Sequence, residues 1–278
     1  MKILVTGSAG MIGSTLVRGL LDAGFSVIGV DRRRGDDERA VHVVADLGDA
    51  EAIAAIVREQ NPDRVIHLAA LAHTAGENDL SYEKYYHVNV ACAENVFRAA
   101  EQRPVLFIST VDVYGFTKGV VTTESEIHPV TFYGKTKALA EAACREICPQ
   151  YTIFRLSPVY TPSVKRDIQK RYYLKHPNWA YIIGKGSEYE IVNVDLAVKR
   201  MVEWCQEPAD NQVHVIKDAK PMNTREYVTQ EKSEGRAKHV VRLPRWMAVV
   251  GYTVVKTLTG KNKYTYLLNK AVYPLKTK

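Results

Sequence analysis

Three observations predict an α/β protein with a doubly wound, mostly parallel sheet and a small C-terminal lobe. Over the first 155 residues, short β-branched runs alternate with longer segments of helical periodicity. Several runs are apolar throughout, as expected of strands covered on both faces. The first run leads directly into a glycine-rich turn that opens the first helical segment. Such βαβ alternation favours parallel strands joined by right-handed crossovers.

The expected strands are Lys2–Thr6, Ser26–Asp31, Val41–Val44, Arg64–Leu68, Val105–Ser109 and Thr152–Arg155. Helices are expected over Met11–Ala23, Ala50–Glu59, Tyr82–Ala100 and Tyr133–Glu146, where apolar residues recur at helical spacing. In the first of them Ile12, Leu16 and Leu20 make one stripe, and Gly24 follows as a C-terminal cap. The pattern changes after Pro158. Residues 160–190 are rich in Tyr, Lys and Arg without a clear period. Ile191–Trp204 reads as a short strand and a helix, Val213–Ile216 as a strand, Lys220–Lys238 as polar chain, and Leu243–Leu258 as an apolar helix.

The composition, 46% hydrophobic and 25% charged, is that of a globular protein and excludes disordered, collagen-like and disulfide-scaffold classes. No apolar run reaches the ~18 residues of a membrane span. Met1–Val5 reads as a strand and not as a signal peptide. Cys92, Cys144, Cys148 and Cys205 show no metal-ligand spacing, so no metal is expected and a reducing cytoplasm is. Cys144 and Cys148 share a helix face and read as packing residues. The net charge of +7 admits acidic substrates, nucleic acid or anionic lipid. Much of it sits in Arg32-Arg33-Arg34 and in the last fifty residues. No aromatic-interleaved basic motif supports nucleic acid.

The turn Thr6-Gly7-Ser8-Ala9-Gly10-Met11-Ile12-Gly13 joins the first strand to the first helix. Gly7 permits the tight turn, Gly10 lets backbone approach a pyrophosphate, and Gly13 lets helix and strand pack closely. The helix N-terminus then offers free N–H groups and a partial positive charge to the phosphates. Asp31 lies 18 residues beyond Gly13 at the end of the next strand, where a carboxylate accepts from ribose hydroxyls. That favours NAD over NADP, whose 2′-phosphate would meet a like charge; Arg32 and Arg33 are the features that would accommodate NADP. Asp46 and Leu47 follow the third strand, near the adenine in such a sheet, although Asp46 reads equally as a helix cap. Leu68, Ala69 and Ala70 leave room for the cofactor beside the fourth strand, and His67 before them reads more simply as a core histidine.

Tyr133 and Lys137 are spaced i,i+4 and therefore share a helix face. An ammonium beside a phenol favours the phenolate, whose ordinary pKa is near 10. Tyr133 can then exchange a proton with a sugar or alcohol hydroxyl while hydride moves to a nicotinamide. Lys137 can also hold the nicotinamide ribose. Ser109 and Thr110 close the fifth strand, with the Thr110 hydroxyl placed for the same substrate oxygen and Ser109 counted with the cofactor contacts. Asn89, on the long preceding helix, adds polar support.

In order, TGSAGMIG (6–13), Asp31, Ala45-Asp46-Leu47, HLAA (67–70), VNV (88–90), STVDVYG (109–115), YGKTK (133–137), RLSPVYTP (155–162) and VNVDLA (192–197) cover about residues 1–200. This set resembles the extended short-chain dehydrogenase/reductase family, the NAD-dependent epimerase/dehydratase group. The resemblance implies a Rossmann-type sheet holding nicotinamide cofactor tightly, with Tyr133 as general acid/base, Lys137 as its helper and Thr110 as the third catalytic residue. It also implies Ser157 and Pro158 near the nicotinamide and a homodimer through Tyr82–Ala100 and Tyr133–Glu146. The expected division is an NAD-binding domain over 1–157, to which 191–216 return, and a substrate lobe from 158–190 and 217–278. Val111-Asp112 stands where dehydratase relatives carry Asp-Glu, which argues against a 4,6-dehydratase. Ser157 replaces the Asn usual in nucleotide-sugar epimerases, and the stretch from Tyr160 to Asp195 is short for that group.

The expected function is an NAD-dependent epimerase or oxidoreductase acting on a sugar hydroxyl, with a nucleotide sugar as substrate. The alternative is an NAD(P)H-dependent dehydrogenase or reductase of a sterol-like or small carbonyl compound. A non-enzymatic nucleotide sensor would be expected to have lost Tyr133 or Lys137. The apolar helix Leu243–Leu258, with basic flanks, is expected to wall the substrate pocket; its alternative is peripheral contact with an anionic membrane.

Overall fold

The computed structural model describes residues 1–72, 81–161, 166–174 and 178–278. Contacts divide the chain into two compact units. The first comprises Met1–Val113, Phe132–Leu156 and Val194–Ile216; the second comprises Tyr114–Thr131, Ser157–Asn193 and Lys217–Lys278.

Seven parallel strands form the sheet of the first unit. Their spatial order is Val213–Ile216, Tyr151–Leu156, Val105–Thr110, Arg64–His67, Lys2–Thr6, Ser26–Asp31 and Val41–Val44. The chain winds outward from Lys2–Thr6 in one direction and from Arg64–His67 in the other. The strand order therefore reverses between these two, and their carboxyl ends flank the crevice where such sheets take ligands. Lys2–Thr6, Arg64–His67 and Val105–Thr110 are almost wholly buried, which explains why they read as apolar runs. Phe97, Phe107, Val96, Val105, Ala140 and Ile153 lie in one continuous core on a face of this sheet.

The helices that cover the sheet are Met11–Asp22, Ala50–Gln60, Phe132–Ile147, Val194–Trp204 and the composite element Tyr82–Ala100. That last element is interrupted by a π-helical turn, His87–Ala91, between α-helical stretches Tyr82–Tyr86 and Cys92–Ala100. The cap of Ala50–Gln60 is Asp49, which accepts from the Ala52 N–H. Asp46, read equally as that cap, instead accepts from the Gly48 N–H in a turn one step earlier. All four cysteines are buried free thiols.

The second unit uses short paired segments. Trp179–Ile183 pairs in parallel with His239–Leu243, Val159–Tyr160 with Val192–Asn193, and Val120–Val121 with Lys276–Thr277. Asp218 ties one pair together, accepting from the Tyr160 hydroxyl at 3.0 Å and the Asn193 N–H at 2.9 Å. The polar stretch 220–238 contains the helix Thr224–Ser233, whose Val228 is buried beside Tyr172 and Ile182. The tail forms two helices, Arg245–Thr259 and Lys263–Val272, which pack on one another. The second was not expected; it starts at a capping box in which Asn262 and Thr265 exchange hydrogen bonds. Ala248 and Tyr252 of the first tail helix are buried with Val272 and Ile183 of the same unit. Trp246, Val250, Val254 and Leu258 on its other side are exposed.

Among the described residues, no helix is long and apolar enough to cross a membrane.

Candidate active site

The glycine turn sits where the first unit's sheet reverses. Gly7 has φ +71°, and a Cβ there would lie 2.7 Å from the Ala69 backbone nitrogen. Neither constraint tolerates a side chain. A Cβ on Gly13 would lie 2.1 Å from the Gly7 carbonyl oxygen, so the helix can start this close to the turn only with glycine. Ala69 thus fits against the turn, and the Leu68 N–H donates to the Thr6 carbonyl, seating residues 68–70 beside it.

Helix Met11–Asp22 begins at Gly10, with no side chain capping its first N–H groups and no acid in its first turn. Met11 is exposed and Ile12 half-buried at this end. Uncapped N–H groups at an open helix start form a site for an anion. Asp31, at the carboxyl end of its strand, accepts from the Ala9 N–H at 3.1 Å and the Arg33 N–H at 3.2 Å. The Arg33 guanidinium in turn donates to the Ala9 carbonyl. The carboxylate is therefore fixed against the turn while remaining half-open. Arg32 beside it and Asp46 at the next strand's end are both exposed, and Leu47 is buried in the core. A cradle that only glycine fits, an uncapped helix start and an adjacent fixed carboxylate suit a dinucleotide with a ribose diol.

His67 is wholly buried. Its Nδ1 lies 2.7 Å from the Thr6 hydroxyl, and its ring stacks on Phe107 and meets Phe97 at an edge. Burial, reinforced by the Lys137 charge, lowers its pKa to about 3, so it stays neutral. It is a core histidine.

Tyr133 lies in the first turn of helix Phe132–Ile147 and is half-buried, whereas Lys137, one turn on, is wholly buried. The Lys137 ammonium sits over the Phe107 ring, 4.0 Å from its centroid. Burial drives its pKa down to about 7, against the opposing pull of Glu141. Thr110 is half-open at the end of its strand, and its Oγ1 accepts from the Asp112 N–H at 3.2 Å.

Two site residues hold the frame. Asn89 is buried in the π-helical turn; its Oδ1 accepts from the Leu71 N–H, and its Nδ2 donates to the Leu71 carbonyl and the Thr136 hydroxyl. Its amide therefore ties the segment after the fourth strand to the helix bearing Tyr133, and π-turns of this kind are frequent at functional sites. Ser109, counted with the cofactor contacts, donates its hydroxyl proton to Glu141 at 2.6 Å. Glu141 also receives Arg155 through Nε and Nη2 at 2.9 and 2.7 Å. The sequence does not single out Glu141, and Thr136 and Arg155 stand in its motifs without a role of their own. Only the continued i,i+4 spacing of Tyr133, Lys137 and Glu141 hinted that Glu141 belongs to the same face.

In the second unit Pro158 is half-buried, with its carbonyl accepting from the Val192 N–H. Ser157 is buried, and its hydroxyl has no hydrogen-bond partner among the described residues.

The model of a family described as the NAD dependent epimerase/dehydratase family matches residues 3–202. The UDP-glucose 4-epimerase of Lactobacillus helveticus is 32% identical over 150 residues, which are 51% of this chain and 45% of that protein. That of Bacillus subtilis is 31% identical over 163 residues, 53% of this chain and 48% of its own. The chain thus matches about half the length of these curated relatives. Among solved structures, a UDP-glucose 4-epimerase from Thermotoga maritima with UDP-glucose superposes with a TM-score of 0.69 at 26% identity, covering 88% of this chain and 86% of that one. MoeE5 in complex with UDP-glucose and NAD gives 0.70 at 25% identity, covering 87% and 85%.

Proposed function

Because the chain belongs to the NAD dependent epimerase/dehydratase family, we propose that it is an NAD-dependent epimerase inverting a hydroxyl-bearing carbon of a nucleotide sugar. The observation that carries this reading is the coexistence in one unit of the glycine-only cradle beside Asp31 and the Tyr133–Lys137 helix face. UDP-sugar epimerases among the relatives support the substrate class.

The cofactor would rest its pyrophosphate on Gly10, Met11, Ile12 and Gly13, its adenosine ribose on Asp31, and its adenine near Asp46 and Leu47. Leu68, Ala69 and Ala70 would complete its contacts. Bound there, NAD would supply reversible hydride-acceptor chemistry for the sugar carbon. The residues of the chain handle the proton. The Tyr133 phenolate takes the proton of the sugar hydroxyl as the carbonyl forms, and its hydroxyl gives the proton back when hydride returns. The Lys137 ammonium favours the phenolate, and Thr110 donates to the substrate oxygen. No proton or electron is gained overall, as an epimerisation requires. Phe107 and Asn89 act beneath the surface, one under the ammonium and the other holding the helix in place.

We assign sugar-nucleotide recognition to the second unit, dimerisation to Tyr82–Ala100 and Phe132–Ile147, and the cytoplasm as the compartment, in keeping with four buried free thiols. The experiment is to denature the purified protein, quantify the released nucleotide by mass spectrometry, and assay UDP-glucose for conversion to its 4-epimer. Near-stoichiometric NAD with redox-neutral turnover is expected. Stoichiometric consumption of dissociable NADH or NADPH would make it a dehydrogenase or reductase instead.

A further inference from the structure

The tail helix Arg245–Thr259 shows two apolar faces, one of which nothing among the described residues covers. Ala248 and Tyr252 on the inner face are buried in the second unit. On the outer face Trp246, Val250, Val254 and Leu258 follow one another at four-residue spacing, with 68, 53, 51 and 80% of their surfaces exposed. They form one stripe along about 18 Å of helix. Tyr264, Leu267 and Leu268 of the next helix are exposed as well. An open apolar patch of this extent marks an interaction surface.

The polar groups of this helix suit an apolar neighbour. The hydroxyls of Thr253, Thr257 and Thr259, all exposed, donate to the carbonyls of Val249, Thr253 and Val255 in their own helix. The face therefore offers few unsatisfied donors to an environment without water.

Charge identifies the partner. Residues 235–278 contain ten Lys and Arg and no Asp or Glu, while residues 1–234 carry 28 Lys and Arg against 31 Asp and Glu. The entire positive excess of the protein belongs to the segment that carries the stripe. Arg242, Arg245, Lys256 and Lys261 make no ion pair among the described residues. A second copy of the chain is disfavoured, because a twofold contact would press one uncompensated cationic segment against another. Nucleic acid is disfavoured because a face read by phosphates needs its cations on the contact surface, and here that surface is Trp, Val and Leu.

We propose that the helix Arg245–Thr259 and its basic flanks dock the protein, in the plane of the interface, on a membrane bearing anionic phospholipid. Trp246, Val250, Val254 and Leu258 enter the boundary between headgroups and acyl chains. Arg242 and Lys261, exposed at the two ends of the helix, meet the lipid phosphates. The proposal does not depend on the reaction catalysed by the first unit.

The test is sedimentation of the full chain with vesicles of phosphatidylglycerol and phosphatidylcholine, or of phosphatidylcholine alone. Quenching of tryptophan fluorescence by brominated lipid is read in parallel. Expected are binding to the anionic vesicles at least about tenfold tighter than to the neutral ones, and a loss of about tenfold when salt is raised to about 0.5 M. The double variant Val254→Glu/Leu258→Glu should abolish binding, and Trp246→Phe should remove the quenching while leaving binding. Should the glutamate variant misfold by circular dichroism, Arg242→Glu/Lys261→Glu serves instead and should likewise lose binding. Absence of sedimentation with anionic vesicles would overturn the proposal, as would equal binding to both kinds or binding indifferent to these variants. Concentration-dependent dimerisation that Val254→Glu/Leu258→Glu disrupts, without vesicle binding, would assign the stripe to a second copy.

Discussion

Glu141 and Arg155, both buried, form a two-pronged ion pair beneath the helix face of Tyr133 and Lys137. Helix Phe132–Ile147 is thereby pinned to strand Tyr151–Leu156, and through Ser109 to strand Val105–Thr110. Glu141→Leu would strand a buried guanidinium and should cost about 3–5 kcal/mol. Urea midpoints of the single variant and of Glu141→Leu/Arg155→Met measure this. The double variant should recover most of the loss, and equal losses in both would show that the pair is not what holds the helix.

Tyr133→Phe keeps the ring and removes the proton carrier. Turnover of UDP-glucose should fall by about 10²–10⁴, with NAD content after denaturation unchanged. A variant as active as the parent would remove Tyr133 from the mechanism.

Gly13→Ala places a methyl group 2.1 Å from the Gly7 carbonyl. Because the obstacle is backbone, the turn must shift and the helix N-terminus with it. The purified variant should release less than about a tenth of the nucleotide found in the parent. Full occupancy would mean that the cradle is not the cofactor site.

Asp31→Asn retains an oxygen for the Ala9 N–H and removes the charge. Discrimination against NADP should shrink by about tenfold or more, since the 2′-phosphate no longer meets a carboxylate. Titration of both cofactors into stripped protein checks it, and an unchanged preference would refute this role of Asp31.

Lys137 gives a pH signature in cofactor-free protein. Its pKa is about 7 when folded, against 10.5 ordinarily, so between these values the unfolded chain binds more protons. Stability from this group therefore rises with pH across that window, by at most about 1.4 kcal/mol per pH unit, and is constant below it. Lys137→Met should flatten that rise, as denaturant unfolding from about pH 6 to pH 9 would report. Parallel pH profiles for parent and variant would refute the shift.

Much of the first unit could be read from the chain because its strands are covered on both faces. Lys2–Thr6, Ser26–Asp31 and Val41–Val44 have the expected boundaries, and helix Ala50–Gln60 differs by one residue. Asp49 outcompeted Asp46 as its cap because it stands directly before the first helical residue. In the second unit Trp179–Ile183 is a strand only through its pairing with His239–Leu243, some sixty residues on, which no local period records. Thr224–Ser233 buries too few apolar side chains to show a stripe. At the site, the glycine turn, Asp31, Tyr133 and Lys137 have local spacings that carry their chemistry. Glu141 and Arg155, by contrast, meet only once helix and strand have packed, as do Asn89 and Thr136. Asn89 reads as polar support in the sequence, but the π-turn that turns its amide to Leu71 and Thr136 has no sequence pattern of its own.

The order of the strands sets an order of manufacture. Lys2–Thr6, Ser26–Asp31, Val41–Val44 and Arg64–His67 are contiguous in the sheet and in the chain, so the glycine cradle can be bounded on both sides once about seventy residues have emerged from a ribosome. Arg155, which anchors the Tyr133 helix, and the edge strand Val213–Ile216 arrive much later. A nascent chain would thus own a nucleotide cradle well before it owned a proton carrier, and a ligand present during synthesis could stabilise the half-made sheet.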